Sequence, residues 1–561
     1  MTPRARLIVF VAAAMSIALL WLFDLPLGIP GEWTWTRIGL SDRLLLVLGA
    51  VQAACLYAVF ALVAWAGSRR MAAAGRPELA GWMSGLVLTG FAWLHAVQEA
   101  PPEGQNLAKI PFVLYYPSSS GYFFQARYEV QETSEFLRDY ESVVAEGDVL
   151  HAGTHPPGMI VMFRLLICVA DTLPSLAALP EWVLTQSADD SFGVIRDQTA
   201  GTPQSLTGQD RTVIWLAAML TQLAAACVVV PLFGLLRLAL DRQTAWRTVC
   251  FWPLVPAVAV FLPKSDVLFA PGSCLLVCLW LYAVRAASNN MTTLPEQTGT
   301  VGNTARRNWL SGPLALGVLA GVVGWLGLFC SLVFLPVGAI AVAASALMFR
   351  RTSADAVAGR PPGNAQWLFR RYGLPCAGGA IAFAGLTVAV AFFWQLNLLR
   401  VWMLNYANHA RFYEVSPRTY LGWLLVNPVE LVFALGAPLV VILFIGPFRR
   451  NGKTSPVDGP VSFFQRVTRP ENGAAVSVAA VWGLLWLTGK NSGEVARLWI
   501  PLMPLAVWAA ASCWSNSLKE RTGSSVEHVT PDWMIALTLQ AVVCLATVLR
   551  VCGFMQEQQL L

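Results

Sequence analysis

Apolar runs of bilayer-crossing length recur along the whole chain, separated by short polar segments. A helix needs about 17–25 mostly apolar residues to cross a membrane. Runs of that order lie at about 7–23, 44–66, 80–97, 212–236, 248–263, 267–285, 309–329, 331–349, 374–396, 420–447, 475–488, 501–516 and 532–550. They lack the apolar–polar alternation of barrel strands. The pattern predicts an all-α polytopic membrane protein of about 13 transmembrane helices, with a large first functional outer loop containing juxtamembrane helices. The stretch Gly158–Leu179 is apolar but carries Arg164 and Asp171. Counting it as a span inverts every later loop, so it reads as a re-entrant or interfacial helix, tolerated where it lines a protein cavity.

The first run, Leu7–Phe23, follows Arg4 and Arg6 and ends in Asp24-Leu25-Pro26-Leu27-Gly28. That ending offers no small-x-small cleavage site, so the run reads as a retained anchor. The run at 309–329 carries Gly312, Gly317, Gly321, Gly324 and Gly327, a spacing of small residues that lets helix backbones approach closely.

Composition fixes the broad class. Only 12% of the 561 residues are charged and 56% are hydrophobic, against about 25% charged in soluble domains. The net charge of +6 needs no nucleic-acid partner. With the N-terminus inside, Arg69, Arg70, Arg237, Arg242, Arg247, Arg449 and Arg450 fall in inside segments, as the positive-inside rule requires. Inside loops are expected at 286–308 and 350–373. The eleven cysteines sit almost entirely in apolar runs with no Cys-x-x-Cys, so a structural role is expected for them.

The chemistry concentrates in the outer segments. Asp148-Val149-Leu150-His151-Ala152-Gly153-Thr154-His155-Pro156-Pro157-Gly158 holds an aspartate and two of the five histidines against the start of an apolar helix. Thr154 or His155 can cap that helix, and Pro157 suits its first turn. Upstream lie the aromatic segment around Tyr122 and the acidic stretch containing Glu129 and Glu132. Lys264-Ser265-Asp266 is squeezed between two spans; Asp266 is either a helix cap or a functional ionisable group. Arg400, His409 and Arg411 lie in a third segment. Glu494 and Arg497, three apart, lie in a fourth and can pair on a helix. Arginines on the side that the charge bias disfavours suit an anionic ligand such as a lipid phosphate.

This layout, with its long first outer loop, His-Pro-Pro step, Arg237–Arg247 turn, Pro-x-Ser-Asp turn at Asp266 and Gly493–Trp499 loop, resembles the C-type (GT-C fold) membrane glycosyltransferases. The resemblance covers about 80–500. It implies residues 1–79 as two additional transmembrane helices and 80–516 as a glycosyltransferase-like bundle. The outer loops of that bundle would be 99–211, 264–266, 397–419 and 489–500, and 517–561 a C-terminal loop and last helix. It implies an integral protein of the bacterial cytoplasmic membrane with its active site on the periplasmic or outer side. A polyprenyl-phosphate sugar would be the donor, and a glycan, lipid or protein the acceptor. Transfer of a hexosyl or pentosyl group, with inversion, is the implied reaction.

Where the family places an early acidic residue, this chain reads Ser118-Ser119-Ser120-Gly121-Tyr122. The base then falls to Asp148, Glu129 or Glu132. Arg400, Arg411 and Arg497 hold phosphate, and Tyr122, His409 and Glu494 line the substrate. His151, His155 and Asp266 shape the site, or bind a divalent ion (Mg or Mn) if one is used. Two other readings remain: a transporter or flippase for a lipid-linked or anionic substrate, and a non-catalytic membrane assembly protein. A transporter places its charges inside the spans, whereas here they gather at the outer boundary.

Overall fold

The computed structural model describes residues 3–39, 43–148, 151–173, 175, 181–292, 303–349, 365–448, 472–519 and 530–554. Among the described residues the protein is all-α apart from two short antiparallel ladders, Gly28–Ile29 with Trp33–Thr34 and Thr36–Arg37 with Val551–Cys552. Among the described residues, seven helices are long and apolar enough to cross a membrane: Pro3–Trp21, Arg43–Arg70, Arg76–Glu99, Gly208–Leu236, Ser265–Asn289, Gly312–Cys330 and Arg371–Trp394. Five shorter apolar helices accompany them. The long helices turn large apolar side chains outward, Val388 at 66% exposure and Phe392 at 78%. An apolar surface on this scale needs a covering, and for helices of this length a bilayer supplies it. Of the expected loops, 350–364 and 293–302 lie outside the described residues, as do Val149 and Leu150. The stretch 365–373, expected as loop, instead begins the helix Ala365–Trp394, and 286–292 continues the helix Ser265–Thr292.

Two expected spans are broken. The run at 248–263 ends the helix Arg242–Val249, makes a 3-10 turn at Trp252–Leu254 and resumes as Pro256–Phe261. Pro253 and Pro256 lack the amide that a continuous helix needs. From Val249 to Pro263 the segment is buried in protein, where irregular backbone is tolerated. The run at 420–447 splits into Tyr420–Leu435 and Ala437–Phe448 at Gly436, whose φ of 88° suits glycine. One buried side chain repairs both breaks. Gln540 Nε2 donates to the carbonyls of Leu254 and Leu435, and its Oε1 accepts from the Leu439 amide. Unpaired backbone groups are costly in an apolar interior, so a lone glutamine there has a clear structural task.

The glycine stripe behaves in part as its spacing suggests. A Cβ on Gly317 would sit 2.4 Å from the Pro375 carbonyl oxygen, and one on Gly321 2.5 Å from that of Gly379. Gly312 faces open space. Gly321→Leu is expected to destabilise the protein by about 1–3 kcal/mol, as overpacking does. A lower melting temperature in detergent would register it, and an unchanged melt would mean the two helices do not meet there.

The chain's ends pack together. The Trp21 indole donates to the Ala546 carbonyl, Tyr57 meets Thr538, and Arg550 pairs with Asp24. The first two helices and the last, assigned above to separate segments, are thus joined directly.

Candidate functional site

Four polar segments far apart in sequence meet. The 147–157 loop is shaped by its own aspartate, whose Oδ2 accepts from the amides of His151 (3.1 Å) and Gly153 (3.3 Å). Side chains from two flanking helices then hold its carbonyls. The Tyr140 hydroxyl donates to Ala152 and His155. Asn405 donates to Gly153 and His155, and Asn408 to Val144 and Gly153. With the backbone fixed, the two imidazoles pack on Tyr122, with ring centroids 5.6 Å (His151) and 5.9 Å (His155) away. Gly121, at a φ of 69°, makes the room: a Cβ there would lie 2.6 Å from His151 Cδ2.

The charged groups arrive from two other segments. Lys264 Nζ donates to the Ser119 carbonyl and, at 3.3 Å, to its hydroxyl. Asp266 opens the helix Ser265–Thr292 and faces Arg497 at 3.5 Å, while Arg497 also pairs with Glu494 at 2.5 Å. Glu494 is a non-glycine residue in the left-handed region, φ 59°. Such strain persists only where the surroundings impose it, and it concentrates at functional sites. Here the Glu494 carbonyl accepts from the amides of both Arg497 and Leu498, which binds carboxylate and guanidinium into one short turn.

Burial and the local cations set the protonation states. Burial, then Lys264, His155 and Arg497, push His151 down to about 3. Burial, then His409 and Arg497, push His155 down to about 4. Both imidazoles are therefore neutral at pH 7. Lys264 is lowered to about 7 by burial and Arg497, against Glu494 and Asp266. Burial and the Asp266 charge raise the Tyr122 phenol. The unfolded chain protonates the histidines near pH 6.5 and the folded chain only near 3–4, so the unfolded state binds more protons between those limits. Stability is expected to fall as pH drops below about 6.5, by on the order of 1 kcal/mol per pH unit for each histidine. Thermal melts of the parent and of His151→Asn between pH 4.5 and 7 test this; the variant should lose part of the slope.

The structure separates the residues named from sequence into two groups. Tyr122, His151, His155, Asp266, Glu494 and Arg497 are brought together, with His409 beside His155. Asp148 lies in the loop, but its carboxylate closes that loop. Glu129 and Glu132 are exposed, Glu132 accepting from the Ser134 hydroxyl. Arg400 is 63% exposed and pairs with Glu141 at 3.4 Å, away from the cluster. Arg411 is exposed and packs against Gly147. Neither Thr154 nor His155 caps the following helix: Pro157 occupies the capping position, and the Thr154 hydroxyl instead meets His155 Nδ1 at 2.9 Å.

Lys264 and the two asparagines were not singled out from sequence. Asn405 and Asn408 do stand three apart on one face of the helix Leu398–Val415, a signal that pattern reading can reach. Among the described residues no group of three or more His, Cys, Asp or Glu is placed to hold a metal ion. A guanidinium, not an open space, lies between Asp266 and Glu494. The donor set as arranged does not fit a divalent ion. No protein-family model matches this chain, and no curated protein matches it.

Proposed function

We propose that the protein is an integral membrane glycosyltransferase that moves a sugar from a polyprenyl-phosphate donor to an acceptor hydroxyl on the outer face of the bacterial cytoplasmic membrane. The observation that carries this reading is the meeting of Lys264 and Arg497 with Asp266, Glu494 and the neutral His151–His155 pair, at the end of an apolar helix of spanning length. Inverting transfer needs a base for the acceptor proton, cations for the departing phosphate, and a site shielded from water. All three kinds of group are present in the cluster.

The roles follow from position. Arg497 and Lys264 hold the phosphate, joined by the buried His151 Nε2, which has no hydrogen-bond partner. Asp266 takes the acceptor hydroxyl proton as that oxygen bonds to the anomeric carbon. The carbon–oxygen bond to phosphate breaks, and the phosphate leaves with the electron pair. Asp266 replaces Asp148, Glu129 and Glu132 as the preferred base because it alone among the four pairs with Arg497.

Membranes holding the protein, supplied with radiolabelled polyprenyl-phosphate mannose, arabinofuranose or glucose, are expected to form a new glycosidic product from one of them. Asp266→Asn is expected to lower that rate by on the order of a hundredfold or more. Movement of the labelled lipid across the bilayer with no new glycosidic bond would replace the enzyme with a transporter.

A further inference from the structure

The helix Tyr420–Leu435 places Trp423, Asn427 and Glu430 on one buried face, at 0%, 2% and 0% exposure. Neither carboxylate oxygen of Glu430 has a hydrogen-bond partner, nor has Asn427 Oδ1. Trp35 and the Ala496 backbone lie near enough to act on Glu430, but neither makes a bond of ordinary geometry with it. Around these acceptors stand donors in the same condition: Nε and Nη1 of Arg418 and Nε1 of Trp35, all buried and unpartnered. Arg418 lies over the Trp423 ring at 5.9 Å and against Gly493, yet forms no ion pair with Glu430.

Buried polar atoms almost always find partners, and a group of exceptions calls for an explanation. This group alternates acceptors (Glu430, Asn427) with donors (Arg418, Trp35). A hydroxyl both donates and accepts, so a polyol satisfies both kinds at once. A phosphate offers only acceptors and so leaves the Glu430 and Asn427 oxygens without donors, and an acyl chain leaves every group unpaired. The cluster also touches the loop that carries Glu494 and Arg497, through Asn427 Nδ2 on the Asn491 carbonyl (3.4 Å) and Arg418 on Gly493.

We infer that Glu430, Asn427, Arg418 and Trp35 form the subsite for the hydroxyls of the transferred sugar ring, a specificity pocket distinct from the groups that hold phosphate. The inference rests on the glycosyltransferase reading above. Its test uses the full chain in nanodiscs and two probes: sugar-free polyprenyl phosphate, and polyprenyl phosphate bearing mannose, arabinofuranose or glucose.

The parent is expected to bind one sugar-bearing lipid more tightly than the sugar-free one. Glu430→Gln is expected to weaken binding of that lipid about fivefold to tenfold, the loss expected for one ordinary hydrogen bond, and to leave sugar-free binding unchanged. Asn427→Ala should lose in the same direction and decides the matter if Glu430→Gln does not fold. Equal losses on both probes, or no loss on either, overturn the pocket while the transferase reading stands. A parent that binds none of these lipids overturns both.

Discussion

Under the proposed transferase function, Arg497→Ala is expected to abolish sugar transfer and to lower stability together. Its guanidinium lies between Asp266 and Glu494, at 3.5 Å and 2.5 Å. Removing it leaves two partly buried carboxylates facing each other without a cation. Breaking such a pair costs about 3 kcal/mol or more, because the remaining charge is desolvated and unpaired. The loss in rate should be larger than stability alone explains. One donor that stabilises developing negative charge is worth on the order of a hundredfold to a thousandfold, and Arg497 also positions Asp266. Arg497→Lys separates the two effects. It keeps a charge but not the planar fork, so its melting temperature should recover further than its transfer rate. Full transfer by Arg497→Ala in the radiolabel assay would remove this residue from the mechanism, and with it the cluster as the active site.

Gly153→Ala is expected to be the most damaging single-methyl substitution in the site. A Cβ at Gly153 would stand 1.8 Å from the Asp148 carbonyl oxygen and 2.6 Å from its carbonyl carbon. These are backbone atoms, so no rotamer change relieves the clash. The loop must open, which breaks the Asp148 bonds to the His151 and Gly153 amides and the asparagine bonds to the Gly153 carbonyl. A cost of about 3 kcal/mol is expected, at the upper end for overpacking. Both histidines should then lose their places against Tyr122. Melting in detergent reads the first effect. The second appears in His151: once exposed, it should titrate near 6.5 instead of about 3. A variant that melts like the parent, with His151 still neutral at pH 5, would mean the loop is not held as described.

Parts of this molecule could be read without coordinates. The apolar runs at 7–23, 44–66, 80–97 and 309–329 became helices of spanning length because a run of that size has no other way to bury its backbone polar groups in lipid. The failures at 248–263 and 420–447 have one cause. Hydropathy counts side chains and is blind to whether a segment faces lipid or protein. Pro253, Pro256 and Gly436 mark the breaks, but only Gln540, more than a hundred residues from the first of them, makes those breaks tolerable.

The candidate site divides in the same way. The sequence by itself determined a helical protein fitted to a membrane, and gathered its uncommon polar residues into a few short segments between apolar runs. Those facts depend on composition and local order, which a linear chain displays directly. Only the tertiary structure decided that Asp266, not Asp148, Glu129 or Glu132, faces Arg497, that Lys264 joins the cluster through Ser119, and that Arg400 does not. Ion pairs and hydrogen bonds are decided over a few ångströms, while the residues that make them are separated by up to hundreds of positions. Their meeting is fixed by how helices pack, and no local pattern in the chain records it.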